Sequence, residues 1–171
     1  MRIGGGAVSI ADVTDRTARD LGFVRPFWLN EIRAGRAFTG FSHLGPTASN
    51  YSHVQLINPS GSGITVTIRE ILIWCDTADL ILFSTHNTAL SSLSMAGINL
   101  LAGGTAGTGT VREENNVAQQ GTSMERLQIL ANTPTFIVTD WHMELGAGEG
   151  VLFVPGTVNQ RMGMAARWTE L

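Results

Sequence analysis

Residues 53–74 read HVQLINPSGSGITVTIREILIW. Val54 and Leu56 alternate with His53 and Gln55, and Ile64, Val66 and Ile68 alternate with Thr65, Thr67 and Arg69. A period of two puts alternate side chains on opposite faces of an extended strand, which a helix of 3.6 residues per turn cannot do. The second run continues through Ile71-Leu72-Ile73-Trp74 and is expected to be buried on both faces. Between the runs lies Asn58-Pro59-Ser60-Gly61-Ser62-Gly63. A phosphate-binding loop needs a lysine and a following helix. Here Gly63 is followed by Ile64 and Thr65 and by a strand pattern, so the segment reads as a hairpin turn, with Pro fixing φ and Gly supplying positive φ.

The same patterning recurs downstream. DLILF (79–83), RLQIL (126–130), TFIVTDW (135–141) and VLFVP (151–155) read as short strands. MGMAARWTE (162–170) places Met162, Met164, Ala166 and Trp168 on one face. Gly146–Gly150 reads as a turn, and residues 88–124 read as loop. The expected core is Ile64, Val66, Ile68, Leu72, Trp74, Phe136, Val138, Leu152, Val154 and Trp168. These features predict an all-β chain, a jelly-roll-like antiparallel β-sandwich over residues 46–171.

Residues 1–45 differ. GGG at 4–6 is followed by DVTDRTARDLGFV (12–24), a candidate short helix capped by Asp12 or Thr14. Phe27, Trp28, Phe38 and Phe41 then occur without a clear period. The region reads as an extended N-terminal arm that buries its aromatic residues against a partner. Asp15, Arg16 and Arg19 are its candidate docking charges; the alternative is a solvated helix face with an Asp15–Arg19 pair.

Composition narrows the chemistry. Charged residues are 15% of the 171-residue chain, against about 25% in an average domain. All 11 basic residues are arginine and the net charge is −3. That is not the basic footprint of a nucleic-acid binder, and lysine-dependent catalysis is excluded. No stretch reaches the roughly 18 apolar residues of a membrane span. No signal peptide is expected at the N-terminus, and synthesis in a cytoplasm is anticipated. The single cysteine, Cys75, sits in the most apolar run and is expected to be a buried, inert thiol.

Each candidate site has a plainer counterpart. His43, His53, His86 and His142 lack metal-ligand spacing. Ser42 adjoins His43, but GFSHLG is not a nucleophile elbow. Glu113 and Glu114 are sequence neighbours that point apart. No catalytic residue, cofactor or metal site is expected. Trp141 or Trp168 stacking on a sugar would make the chain a carbohydrate-binding jelly-roll module.

The order DVTDRTARDLGFV, SHVQLINPSGSGITVTIREI, ELGAGEGVLFVPGTVNQRMGMAARWTE resembles small structural proteins of tailed-bacteriophage particles. The likeness covers both ends and the middle of the chain and rests on turn and strand patterns. It implies a non-enzymatic virion structural protein assembled in the bacterial host cytoplasm, a homotrimeric capsid decoration or cement protein. The alternative it leaves is a tail, baseplate or head-fibre attachment protein. The implied partners are further copies of the chain and the major capsid protein, or tail and portal-proximal virion proteins.

Overall fold

The structure, a computed structural model, describes residues 27–137 and 143–171. A short helix, α1 (Phe27–Arg33), precedes the strands. Gly35, at φ 69°, ends it in the left-handed conformation that favours glycine, with its N–H donating to the Ile32 carbonyl at 2.9 Å.

One sheet has the order β10-β3-β12-β1-β6, with β9 also pairing with β3. Its strands are β1 (Ala37–Leu44), β3 (Val66–Cys75), β6 (Ile98–Asn99), β9 (Thr135–Ile137), β10 (Glu144–Leu145) and β12 (Met162–Glu170). The other has the order β5-β7-β2-β11-β4-β8. Its strands are β2 (Tyr51–Ile57), β4 (Asp79–Thr85), β5 (Ser92–Ala96), β7 (Thr110–Asn116), β8 (Thr122–Ile129) and β11 (Gly150–Val154). We call them the first and second sheets; all their pairings are antiparallel. Setting aside β5–β7 and β10, the orders are β1-β12-β3-β9 and β2-β11-β4-β8. Strands that are close in sequence fall in opposite sheets, which is the double Greek key of a jelly roll. The all-β sandwich expected from the alternation is therefore the observed fold.

Two turns differ from the sequence reading in what they join. Gly61 and Gly63 take φ 74° and 70°, as a turn requires, yet β2 and β3 lie in different sheets. The segment is a crossover between layers, not a hairpin. Gly146–Gly150 likewise carries the chain from β10 in the first sheet to β11 in the second. Asn58 ties the two crossovers together: its Nδ2 donates to the Ile64 and Leu145 carbonyls at 2.8 and 3.0 Å, and its own carbonyl accepts from Gly148 N at 2.8 Å.

The strand phase of β3 changes at Arg69. Arg167 pairs with Glu70 but Trp168 pairs with Ile68, leaving Arg69 as the extra residue of a bulge. Val66 and Ile68 therefore face the core before it, and Ile71, Ile73 and Cys75 after it. This corrects the expectation that residues 71–74 are buried on both faces: Leu72 and Trp74 lie on the outer side and are partly exposed. Phe136, also expected in the core, is 62% exposed, because Ile137 is the residue of β9 that packs inward. Leu152 and Val154 are buried, but on the outer side of the second sheet with Leu90. Ile64 packs at the edge of the main core, and Val138 lies outside the described residues.

The arm boundary is also corrected. Residues 37–44 are not part of an arm; they form β1, paired along its whole length with β12. Residues 88–124, expected to be loop, contain β5, β6, β7 and the start of β8. Val111 is the one apolar residue that β7 contributes to the core, so the strand carries almost no hydrophobic pattern to read.

Val66 is fully buried between the sheets. Val66→Ala should lower the unfolding free energy by about 1–3 kcal/mol. Urea unfolding followed by tryptophan fluorescence measures it, and an unchanged midpoint would contradict this placement.

Candidate functional site

The two outer faces of the sandwich are treated differently by the chain. The second sheet is covered by its own connections over β2, β7 and β11, while β8 stays exposed and Leu80 of β4 is 44% exposed. Gln55, fully buried, donates to the His86 and Thr88 carbonyls at 2.8 and 3.0 Å and accepts from Leu90 N at 3.0 Å. Arg112 Nε donates to the Leu90 carbonyl at 2.6 Å. Glu114 accepts from Ser91 N, Asn116 Nδ2 and Gln120 Nε2 at 2.9, 3.1 and 2.9 Å, and these bonds hold its carboxyl below the usual range against the opposing effect of burial. Leu90 is thereby pressed onto Leu152 and Val154.

His53 lies under the same cover with no exposed surface, and its Nδ1 donates to the Tyr51 carbonyl at 3.0 Å. Burial pushes its pKa below the ordinary histidine value, and the nearby Glu114 carboxylate opposes this more weakly. The unfolded chain therefore binds the proton first as pH falls. This contribution to stability is complete above about pH 6.5 and is lost as pH drops below it. The melting temperature should fall between pH 7 and pH 5 less steeply in His53→Gln than in the parent. His86 is shifted the same way by burial, so part of the slope should remain. Equal slopes in the two proteins would contradict the assignment.

Among the described residues, the outer face of the first sheet is covered at one end only. There Ala37, Thr169 and Thr67 form one cross-strand row, all buried, although their strand phase points them away from the core. Helix α1 packs against β1 at this end. Its Glu31, 3% exposed, accepts from Arg36 Nε and Nη2 at 2.7 and 2.9 Å. That hydrogen bonding lowers the Glu31 pKa. Arg69, from the outer side of β3, adds a favourable charge to Glu31 and donates to Thr169 Oγ1 at 3.3 Å.

Beyond α1 no described element covers the face. The next row is Thr39, Arg167 and Glu70, closed by an Arg167–Glu70 ion pair of 2.8 Å. Then comes an apolar ladder across four strands: Phe41 opposite Ala165, Ala165 opposite Leu72, and Leu72 opposite Phe136. Phe41 and Phe136, at its two ends, are 54% and 62% exposed. The row after that is His43, Gly163 and Trp74. The indole lies on Gly163 so closely that a Cβ there would sit 2.0 Å from Trp74 Nε1. The His43 and Trp74 rings are 5.0 Å apart between centroids. A depression of about 250 Å³ runs between Leu72, Phe136, Ala165 and the Arg167–Glu70 pair. A contiguous apolar stretch of this kind, rimmed by polar groups, is the usual mark of a protein interaction site.

The predicted docking residues divide. Phe41 stands on this face. Phe38 does not: it is 5% exposed and stacks on Trp168 in the core, 6.2 Å between ring centroids. Phe27 and Trp28 open α1, and the role expected of their side chains falls outside the described part. Asp15, Arg16 and Arg19 lie outside the described residues, as does the candidate capped helix 12–24. Leu72, Trp74 and Phe136 are functional candidates that the sequence reading assigned to the core. A phase count through the Arg69 bulge is the signal that would have found Leu72 and Trp74; Phe136 is set outward by the phase of β9.

The other constellations resolve into structural contacts. Ser42 points inward to Glu113, with which it hydrogen-bonds, while His43 points outward. Glu113 and Glu114 leave opposite faces of β7, each to its own partners. Cys75 is buried, bonds Gln160 Oε1 at 2.7 Å, and burial raises its pKa to about 11. Asp79 accepts from Thr157 N and Oγ1, both at 2.9 Å, and from Gln160 Nε2 at 3.1 Å. A cleft of about 300 Å³ beside it is lined by Leu80, Leu82, Gln119 and Arg126 and has no aromatic wall. Trp168 is fully buried and cannot stack on a sugar; Trp141 and His142 lie outside the described residues. Among the described residues no three or more His, Cys, Asp or Glu side chains are grouped to hold a metal ion. Compared with protein-family models, curated proteins and solved structures, the chain matches none of the three.

Proposed function

We propose that this chain is a non-enzymatic structural protein of a tailed-phage particle, a decoration protein that docks through the open face of its first sheet. The observation that carries the reading is the ladder Phe41–Ala165–Leu72–Phe136, which no described element covers, whereas Leu90 and its loop cover Leu152 and Val154 on the second sheet. A sheet whose outer side is apolar and uncovered gains by burial against a partner, at about 25 cal/mol for each Å² removed from water. The particle assignment draws its support from the resemblance carried by DVTDRTARDLGFV, NPSGSG and GEGVLFVPGTVN. Low charge and the lack of lysine agree with a surface built for packing against neighbours.

The partner in this reading is the major capsid protein, and the docked form is a homotrimer. Mass spectrometry of purified particles tests the placement. A decoration protein should approach the copy number of the major capsid protein, whereas a tail or baseplate component should fall far below it. Absence from the particles would overturn the reading. Light scattering coupled to size exclusion tests the trimer, and a monomer at micromolar concentration would confine trimer formation to the particle.

A further inference from the structure

We propose that β8 is an interaction edge for a second copy of this chain, the two β8 strands pairing antiparallel about a twofold axis at Leu127. Among the described strands β8 (Thr122–Ile129) pairs only with β4, so its other side presents backbone N–H and C=O groups along 8 residues. An edge of this kind is a template for another strand.

The strand's own sequence selects the occupant. A twofold axis that joins two antiparallel edges stands perpendicular to the sheet, so each residue keeps its face in both copies. Residues directly opposite one another share a face, and one residue of β8 must therefore lie on the axis, opposite itself. The phase of β8 is set by β4. Glu125 and Leu127 lie opposite Phe83 and Ile81, which are core residues, and Arg126 and Gln128 lie opposite Leu82 and Leu80 on the outer side. Glu125 on the axis would set two carboxylates against each other, and Arg126 two guanidinium groups; like charges directly opposite are destabilising. Met124 is the extra residue of the bulge between Phe83 and Ser84, where regular pairing is interrupted. Leu127 on the axis avoids all three and pairs residues 125–129 with their counterparts. Leu127 then meets its own copy, Arg126 lies opposite Gln128 in both halves, and Glu125 lies opposite Ile129. At both ends of the paired stretch Met124 and Leu130, 44% and 65% exposed, are brought together.

The direction of the axis carries through to the other layer. The two second sheets become one continuous sheet with their outer faces on the same side, so the two first sheets lie together on the opposite side. Both Phe41–Phe136 ladders then point the same way. One pair of molecules offers two docking faces to one surface, and the second engagement gains from the first. This last consequence rests on the docking reading; the pairing of β8 does not.

The test uses the free, full-length protein. Arg126→Cys combined with Gln128→Cys probes the register, and both side chains are exposed. Opposite residues of an antiparallel pair have Cα atoms about 4.5–5.5 Å apart, within the reach of a disulfide. Cys75 stays silent because it is buried and its pKa is raised to about 11. Under mild oxidation the double variant should form a covalent dimer at least about tenfold faster than either single variant, in which the new thiol faces no thiol. Equal rates would overturn the proposal. Gln128→Glu and Gln128→Arg give a readout that needs no new cysteine, because they differ in the charge set opposite Arg126. Sedimentation equilibrium should show a dimer at least about fivefold tighter for Gln128→Glu than for Gln128→Arg. A parent protein that stays monomeric at every concentration measured, or an association equally strong in the two variants, would overturn the proposal. Neither measurement involves particles, so failure here would leave the docking face standing, and failure of the docking face would leave the pairing of β8 standing.

Discussion

Trp168→Ala should destabilise the fold by about 3–5 kcal/mol, the upper range for truncating a buried aromatic residue. Trp168 has no exposed surface and sits where β12, β1 and the 97–109 connection meet. Three glycines make room for it. A Cβ on Gly40 would lie 3.1 Å from the ring, one on Gly97 2.6 Å and one on Gly109 2.9 Å. A cavity walled by backbone collapses poorly, because there are no long side chains to swing into it. The indole Nε1 also donates to Glu170 Oε1 at 3.0 Å, and the same carboxylate accepts from Thr108 N and Gly109 N at 3.0 and 2.8 Å. Losing the ring therefore loosens the connection as well as the core. For a chain of this length each kcal/mol lowers Tm by about 2–4 °C, so a drop of roughly 6–20 °C is expected. Calorimetry measures it, and a loss below about 1 kcal/mol would show that Trp168 is not the centre of this core.

The second large effect concerns the docking proposed above. Phe41→Ser combined with Phe136→Ser should weaken attachment to particles by about 2–4 kcal/mol, or ~30- to 1000-fold in Kd. Both rings are more than half exposed, so the free protein should keep its fold. Phe38→Ala is the wrong probe, because Phe38 packs on Trp168 and its loss would damage the core. The measurement is occupancy on particles lacking the protein, with circular dichroism as the control. Wild-type occupancy by the folded double variant would remove this face from the attachment mechanism.

The strands were legible where alternation was clean. Met162, Met164, Ala166 and Trp168 are all buried on one face of β12, as their spacing requires. Reading failed where one residue shifts the phase. The bulge at Arg69 sends Leu72 and Trp74 outward, and β9 turns Ile137 rather than Phe136 to the core. It failed again where polar side chains do the work of apolar ones: β7 is held by Ser42–Glu113 and by Arg112 and Glu114 on the covering loop. The candidate site was half legible for the same reason. Phe41 could be suspected from its place outside any period, whereas its three neighbours in the ladder belong to distant segments that only the sheet order brings together.

The insertion between β4 and β8 fixes how such molecules can join. On one flank β6 pairs with the free side of β1, and Ser94 of β5 bonds the Phe41 carbonyl at 3.2 Å, so the two layers are stitched shut. On the other flank β8 pairs with β4 alone among the described strands, and the first sheet ends there in the short β9 and β10. Head-to-tail strand addition, whether into a ring of three or an endless fibre, requires two different free edges on each subunit. Among the described strands only β8 offers a long free edge; β5, β6, β9 and β10, which end the sheets elsewhere, are short. Two copies joined through β8 would bury the long free edge of both, leaving shorter strands at the other edges of the described part. Strand addition is therefore a poor route to a closed ring of three, and a threefold assembly, if the chain forms one, would draw on the faces of its sheets.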